Sequence, residues 1–432
     1  SGTSRLYNFE MFSVVVPVVV VGKLTNSAVT GVIVENDYST LNKQIGVKIT
    51  LGTAANANLS VAGLVGLVED CQIESNTVLT DISLKNAEAN SNRNVLVAGL
   101  VGEYRLSTSN SGRAISNNNV QSIISAENNN LTFASVGVAW LNSSNKTIFE
   151  QNVFDGKIST QGNAYVGAVV GYASYNQDEN HIALNPNVDN NSVKILIDQV
   201  VSNVDIYGEM NNALSTNKYF AGGVVGYANG TVTLSNTTNM GKIVPTAEGT
   251  KASNVNYNIG GLIGCAKQVV LANSSFTFSL ATILTNNLTK DAITYAEDYL
   301  NNNFRTIGAL FGYLAKADDS YNLFVGDDEN LTRYSSSANK SSLTSDLFYS
   351  TDFALVPENT MLGTNLAAGT LINTTGYQQN AIQSGLWANS NGSSNVPYLT
   401  SMVSSMRLLG IIDNTTNSYV AGSVANPLSG YT

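Results

Sequence analysis

Charge is scarce in this chain of 432 residues: Asp, Glu, Lys and Arg make up only 12% of it, with a net charge of −10. That is about half the usual share of charged residues. So few Lys and Arg cannot line up against a run of phosphates, which excludes nucleic acid as a partner. Histidine occurs once, at His181 in the loop-like stretch 176–191, and so has no second imidazole with which to share a metal. His-Glu-x-x-His, Gly-x-Ser-x-Gly and phosphate-loop patterns are all missing, and no cofactor is expected. The two cysteines, Cys71 and Cys265, lie 194 residues apart. A disulfide needs Cα atoms within about 7 Å, so two buried thiols are expected instead. The most hydrophobic run, Val14–Val21, is interrupted by Pro17. It is far shorter than the about 20 residues of a membrane span. With 43% hydrophobic residues the chain can still bury a continuous core, so disorder is excluded as well.

What is present is a recurring phrase of small residues around large aliphatic ones. It reads Ala62-Gly63-Leu64-Val65-Gly66, Ala98-Gly99-Leu100-Val101-Gly102, Gly167-Ala168-Val169-Val170-Gly171 and Gly222-Gly223-Val224-Val225-Gly226. Gly260-Gly261-Leu262-Ile263-Gly264 and Gly308-Ala309-Leu310-Phe311-Gly312 follow, and a blurred copy stands at Ala134-Ser135-Val136-Gly137-Val138. The last positions are spaced by 36, 36, 33, 55, 38 and 48 residues. Such self-similarity marks a repeat architecture. Glycine weakens a strand unless a bend or a close backbone approach requires it. Gly66, Gly102, Gly171, Gly226, Gly264 and Gly312 are therefore read as structural residues at a tight corner.

Downstream of each phrase apolar and polar residues alternate, as in Thr231-Val232-Thr233-Leu234-Ser235 and Lys146-Thr147-Ile148-Phe149-Glu150. Alternation of this kind predicts half-buried strands of about 4–6 residues between Gly, Asn and Ser turns. Short recurring strands can build a propeller, a sandwich or a solenoid. Propeller blades need hairpin turns, and Asn-Gly signals are few, Asn229-Gly230 and Asn391-Gly392 among them. Asparagine, at 57 residues, suits stacked hydrogen-bonded ladders, with Asn76, Asn236 and Asn273 falling 9 or 10 positions after a phrase glycine. The expected fold is all-β: a right-handed parallel β-helix, the hand following from the preferred crossover of parallel strands. A mean spacing near 41 residues reads as two coils, giving a rod about 60–70 Å long.

The run Gly222-Gly223-Val224-Val225-Gly226-Tyr227-Ala228-Asn229-Gly230-Thr231-Val232, with Ser235-Asn236 and Gly241-Lys242-Ile243 behind it, closely resembles the GLUG repeat of large secreted adhesin-like surface proteins. The resemblance covers roughly residues 60–325. It extends to the tail through Tyr349-Ser350-Thr351-Asp352, Trp387 and Pro397-Tyr398-Leu399, which match a segment that often closes a GLUG block. It implies a parallel β-helix at the cell surface or outside the cell, and a structural or adhesive role with a glycan or cell-surface ligand. The alternative is a carbohydrate-active β-helix enzyme or a glycan-binding module, which would gather two carboxylates and an Arg or Lys in one concave site.

Three segments are expected: 1–52 as an N-terminal opening strand and cap, 53–334 as the repeats, and 335–432 as an irregular coil, cap or assembly segment. The chain opens on Ser1 without a signal-peptide pattern, as a processed or truncated chain would. Val14, Val15, Val16, Val18, Val19, Val20 and Val21 form a strand that either covers the first coil or pairs with a second copy, giving head-to-tail assembly. Ser401–Gly410 is the one passage that suits a short helix. Acidic pairs at Asp318-Asp319 and Asp327-Asp328-Glu329, near Arg333, lack the regular spacing of a calcium loop and read as solvated loop. Fourteen sequons are candidate N-glycosylation sites: Asn58, Asn130, Asn142, Asn145, Asn190, Asn229, Asn236, Asn273, Asn287, Asn330, Asn339, Asn373, Asn391 and Asn414. About 11 are expected by chance from composition. Asn145, Asn229 and Asn391 look the most accessible.

Overall fold

The computed structural model describes residues 59–86, 94–106, 114–143, 145–175, 193–210, 218–241, 243–247, 256–271 and 397–415, with isolated short strands elsewhere. The described chain is mostly strand. Its strands form a 17-stranded and a 13-stranded sheet, both parallel, and an antiparallel hairpin pairs Trp387–Asn389 with Pro397–Leu399.

The strands fall into four columns. Column one holds Leu59–Ala62, Val95–Ala98, the ends of Asn119–Ser135 and Val153–Gly167, then Lys218–Gly222, Asn256–Gly260 and Arg305–Gly308. The phrase turns the chain from column one into column two, where Val65–Glu69, Val101–Leu106, Val138–Ser143 and Val170–Ala173 stack. Column three follows with Gln72–Glu74, Ala114–Ser116, Lys146–Glu150 and Val193–Asp198. Column four contains Thr77–Asn86, the first halves of the two long strands, and Val201–Met210. Where the link is short two columns merge, so that Val225–Ser235 serves columns two and three in one strand.

Each strand pairs in register with its counterpart one phrase away, as Val95 does with Leu59 and Val101 with Val65. One phrase spacing is therefore one rung. The expectation of two coils per spacing is corrected, and the six spacings rise roughly 29 Å at about 4.8 Å per rung. The blurred phrase is also set one residue late: Val138 pairs with Val101 and Val170, so Ala139 takes the place of the final glycine.

Alternation along the strands sends Val61, Val68, Ile73, Val78 and Ile82 inward, together with the corner residues Leu64 and Val65. The same positions on successive rungs join them in one continuous core. Residues added to the longer rungs fall between strands, as between Ala173 and Val193, and leave the rung itself unchanged.

Val21–Thr25, Ala28–Thr30 and Ile33–Val34 pair with Val65–Glu69, Gln72–Glu74 and Thr77–Val78, so the segment 1–52 contributes strands to the same columns. At the other end, Leu347–Ser350 and Thr364–Leu366 add to column four. The expected helix is present as a turn of 3-10 helix at Thr400–Met402 and an α-helix at Val403–Leu408. With the hairpin it packs sideways: Tyr398, Leu399, Met402, Met406, Leu409, Ile411 and Ile412 bury themselves against Val153, Val201 and Met240 on the outer face of column four.

Candidate functional site

The phrase glycines sit where the outer faces of columns one and two close on each other. A Cβ on Gly226 would lie 2.5 Å from the Gly171 carbonyl oxygen and 2.7 Å from both the N and O of Val166; on Gly264 it would lie 2.5 Å from the Gly226 oxygen and 2.7 Å from that of Ala221. These are rigid backbone atoms, so the close approach read from the sequence is present. Gly66, Gly102 and Gly171 take the same second position in their strands, and Gly312 does so in Phe311–Leu314.

Beyond the glycines the closed angle holds a second, aromatic core. Phe133, Tyr165 and Phe220 stack on column one, and Trp140, Tyr172 and Tyr227 on column two. Rings meet across the angle at 4.6 Å for Phe133 and Tyr172, and edge-on at 5.0 Å for Phe220 and Tyr227. Offset and edge-to-face contacts add to the area these rings bury. Alternation along the strands does not reveal this core, because its residues stand at outward positions. Its signal was the aromatic directly after the last phrase glycine, in Gly171-Tyr172, Gly226-Tyr227 and Gly312-Tyr313.

The turn from column three into column four is an asparagine ladder. The Asn76 Nδ2 donates to Asn118 Oδ1 at 2.9 Å, and the Asn118 Nδ2 donates to Asn152 Oδ1 at 2.9 Å. The backbone N–H groups of Asn76 and Asn118 donate to the same oxygens. Just before it stands a stack of left-handed residues, Ser75, Asn117, Gln151, Gln199 and Asn236, with φ between 46° and 58°. Asn76 is thus in a ladder as expected, while Asn236 belongs to the left-handed stack and donates to Asp198 instead. Asn273 lies outside the described residues.

Among the described residues, two carboxylates and a guanidinium meet on the outside of column two. Arg105 donates to both oxygens of Glu103, at 2.5 and 3.1 Å, and to Glu69 on the adjacent rung at 3.3 Å. One guanidinium thus holds both carboxylates, which pins two rungs together. On column four, Asp155 is fully buried and accepts from Gln121 at 2.5 Å and Asn203 at 2.6 Å. Burial pushes its carboxyl up to about 7, against the lowering effect of those two amides and the Gly156 N–H, while nearby Asp205 adds to the rise.

The sequons divide by burial. Asn142, Asn229 and Asn236 are buried at 5%, 2% and 5% exposure, which leaves no room for a sugar on their amides. The expected accessibility of Asn229 is corrected: Asn229-Gly230 runs inside a strand rather than at a turn. Asn130 and Asn145 are half-buried and Asn414 is exposed. Asn58, Asn190, Asn273, Asn287, Asn330, Asn339, Asn373 and Asn391 lie outside the described residues, as do His181, the acidic pairs near Arg333, and Val14, Val15, Val16, Val18, Val19 and Val20. Val21 opens the strand that pairs with Val65–Glu69. Cys71 and Cys265 are buried on separate rungs and form no disulfide. Among the described residues no group of three or more His, Cys, Asp or Glu could hold a metal, and no helix is long and apolar enough to cross a membrane. Comparison with protein-family models, curated proteins and solved structures finds no match.

Proposed function

We propose that this chain is a right-handed parallel β-helix serving as a secreted structural or adhesive surface protein, a subunit of an extracellular filament assembled head to tail. The observation that carries the reading is the continuity of the rungs. Column two runs in register from Val21–Thr25 to Phe311–Leu314, with strands of both flanking segments stacked on the same framework. A parallel stack ends on unpaired backbone groups, which template another strand. The two ends differ, a β-branched run around Val21 at one and a polar Ser- and Asn-rich tail at the other. Unlike ends make heterologous contacts, which propagate as filaments unless the rotation closes. The GLUG resemblance supports the surface location and a glycan or cell-surface ligand.

Imaging the purified chain by electron microscopy tests the filament, and deletion of residues 1–22 tests its polarity. Filaments that persist in the truncated chain, with only monomer stability reduced, would make Val14–Val21 a cap and refute head-to-tail pairing. In a eukaryotic host, glycans belong on Asn130, Asn145 and Asn414 among the described sequons. Glycosidase treatment followed by intact-mass measurement reads them. Turnover of a soluble polysaccharide would favour the carbohydrate-active alternative.

A further inference from the structure

Column three carries a striped outer face. On Lys146–Glu150 the outward side chains are Lys146, Ile148 and Glu150; on Val193–Asp198 they are Lys194, Leu196 and Asp198. The two strands pair in register, so Lys146 stands directly beside Lys194, Ile148 beside Leu196, and Glu150 beside Asp198. The result is a cationic row, an apolar row and an anionic row, each two rungs deep. Small uncharged residues bound it, with Ala114 and Ser116 on one side and Thr231, Thr233 and Ser235 on the other.

Within one chain this arrangement is unfavourable. Like charges directly opposite on neighbouring strands repel, and the rungs are only about 4.8 Å apart. Along each strand the opposite charge is four residues away, roughly 13 Å, too far for an ion pair. Exchanging one Lys with one acid would remove both repulsions, yet the charges are segregated. Among the described residues none of the four has an ion-pair partner. The Asp198 carboxylate accepts from the neutral amides of Asn236 and Gln199.

We infer that this face pairs with the same face of a second copy, about a two-fold axis parallel to the direction in which the rungs stack. That axis reverses position along the strand and keeps the level of each rung. It therefore lays the Lys row of each copy over the carboxylate row of the other, and Ile148 and Leu196 over their own counterparts. An axis along the strands would instead set Lys on Lys. The charge pattern thus selects side-by-side pairing with both copies pointing the same way. The patch is small, so the contact is weak and sensitive to salt. It is independent of the filament reading, since it uses one face of the isolated chain and survives deletion of residues 1–22.

Sedimentation equilibrium at low and high salt tests the pairing, with circular dichroism as the check on folding. The wild-type chain dimerises with concentration and loses the dimer in salt. The K146E/K194E and E150K/D198K variants each weaken dimerisation by at least about tenfold, because like charges then face each other. Mixing the two double variants, or combining all four changes in one chain, restores it. The orientation is read by L196C, which oxidises to a dimer with itself. A disulfide that forms only when L196C is mixed with I148C overturns the axis. A wild-type chain that stays monomeric at millimolar concentration in low salt, or an association constant unmoved by both double variants, overturns the proposal.

Discussion

At Gly226 a single methyl group has nowhere to go, since its nearest neighbours are the carbonyl of Gly171 and the backbone of Val166. Gly226→Val should destabilise the chain at the upper end of the about 1–3 kcal/mol typical of overpacking. Denaturant titration measures it, and the same change at Gly264 should match. Asn118 makes the opposite case, a residue lost by what it leaves behind. Its Oδ1 accepts both the backbone and side-chain N–H of Asn76, and its Nδ2 donates to the Ile73 carbonyl as well as to Asn152. Asn118→Ala leaves these buried groups unmatched and should cost about 1–3 kcal/mol. Asn414→Ala, at an exposed position, should stay within about 0.5 kcal/mol of wild type in the same titration.

The strands and their corners were legible because alternation and glycine spacing report local geometry directly. The ladder was legible only in kind. Counting forward from the phrase finds Asn76 but misses Asn118 and Asn152, because the link between columns two and three varies in length. Counting back from the long strands Asn119–Ser135 and Val153–Gly167 would have found both, one residue before each. The aromatic core and the buried face of column four were hidden for a different reason: outward positions of a strand read as solvent-facing until another element covers them. Asp155 lies on that covered face. Its carboxyl stands at about 7 in the folded chain against an ordinary 3.8, so the folded state binds more protons between these values. The favourable contribution is complete below about 4 and is lost as pH rises through about 7. Melting temperature should therefore fall across that interval for the wild-type chain, and Asp155→Asn should flatten the fall. A parallel decline in both proteins would assign it to other groups.

At the scale of the molecule the sequence misled on one number, the rung count. A phrase spacing says how often the chain returns to a corner, not how many strands it lays down on the way; four short strands fit in 36 residues as readily as two coils of two. The in-register pairing of Val65 with Val101 decides between them. It also fixes how the chain must yield under load. When tension is applied along the stacking direction, between attachment points on Val65–Glu69 and Ile263–Leu271, neighbouring rungs part in turn, because the strands of one pair in register with their counterparts in the next. A freed rung of 36 residues pays out roughly 120 Å of extended chain, and the 55-residue rung roughly 190 Å. Single-molecule stretching should record a ladder of unequal steps whose lengths, in order, spell out the phrase spacings of the sequence. One all-or-none rupture would contradict it. The same words that set the corners would then be readable a second time, as distances on a force curve.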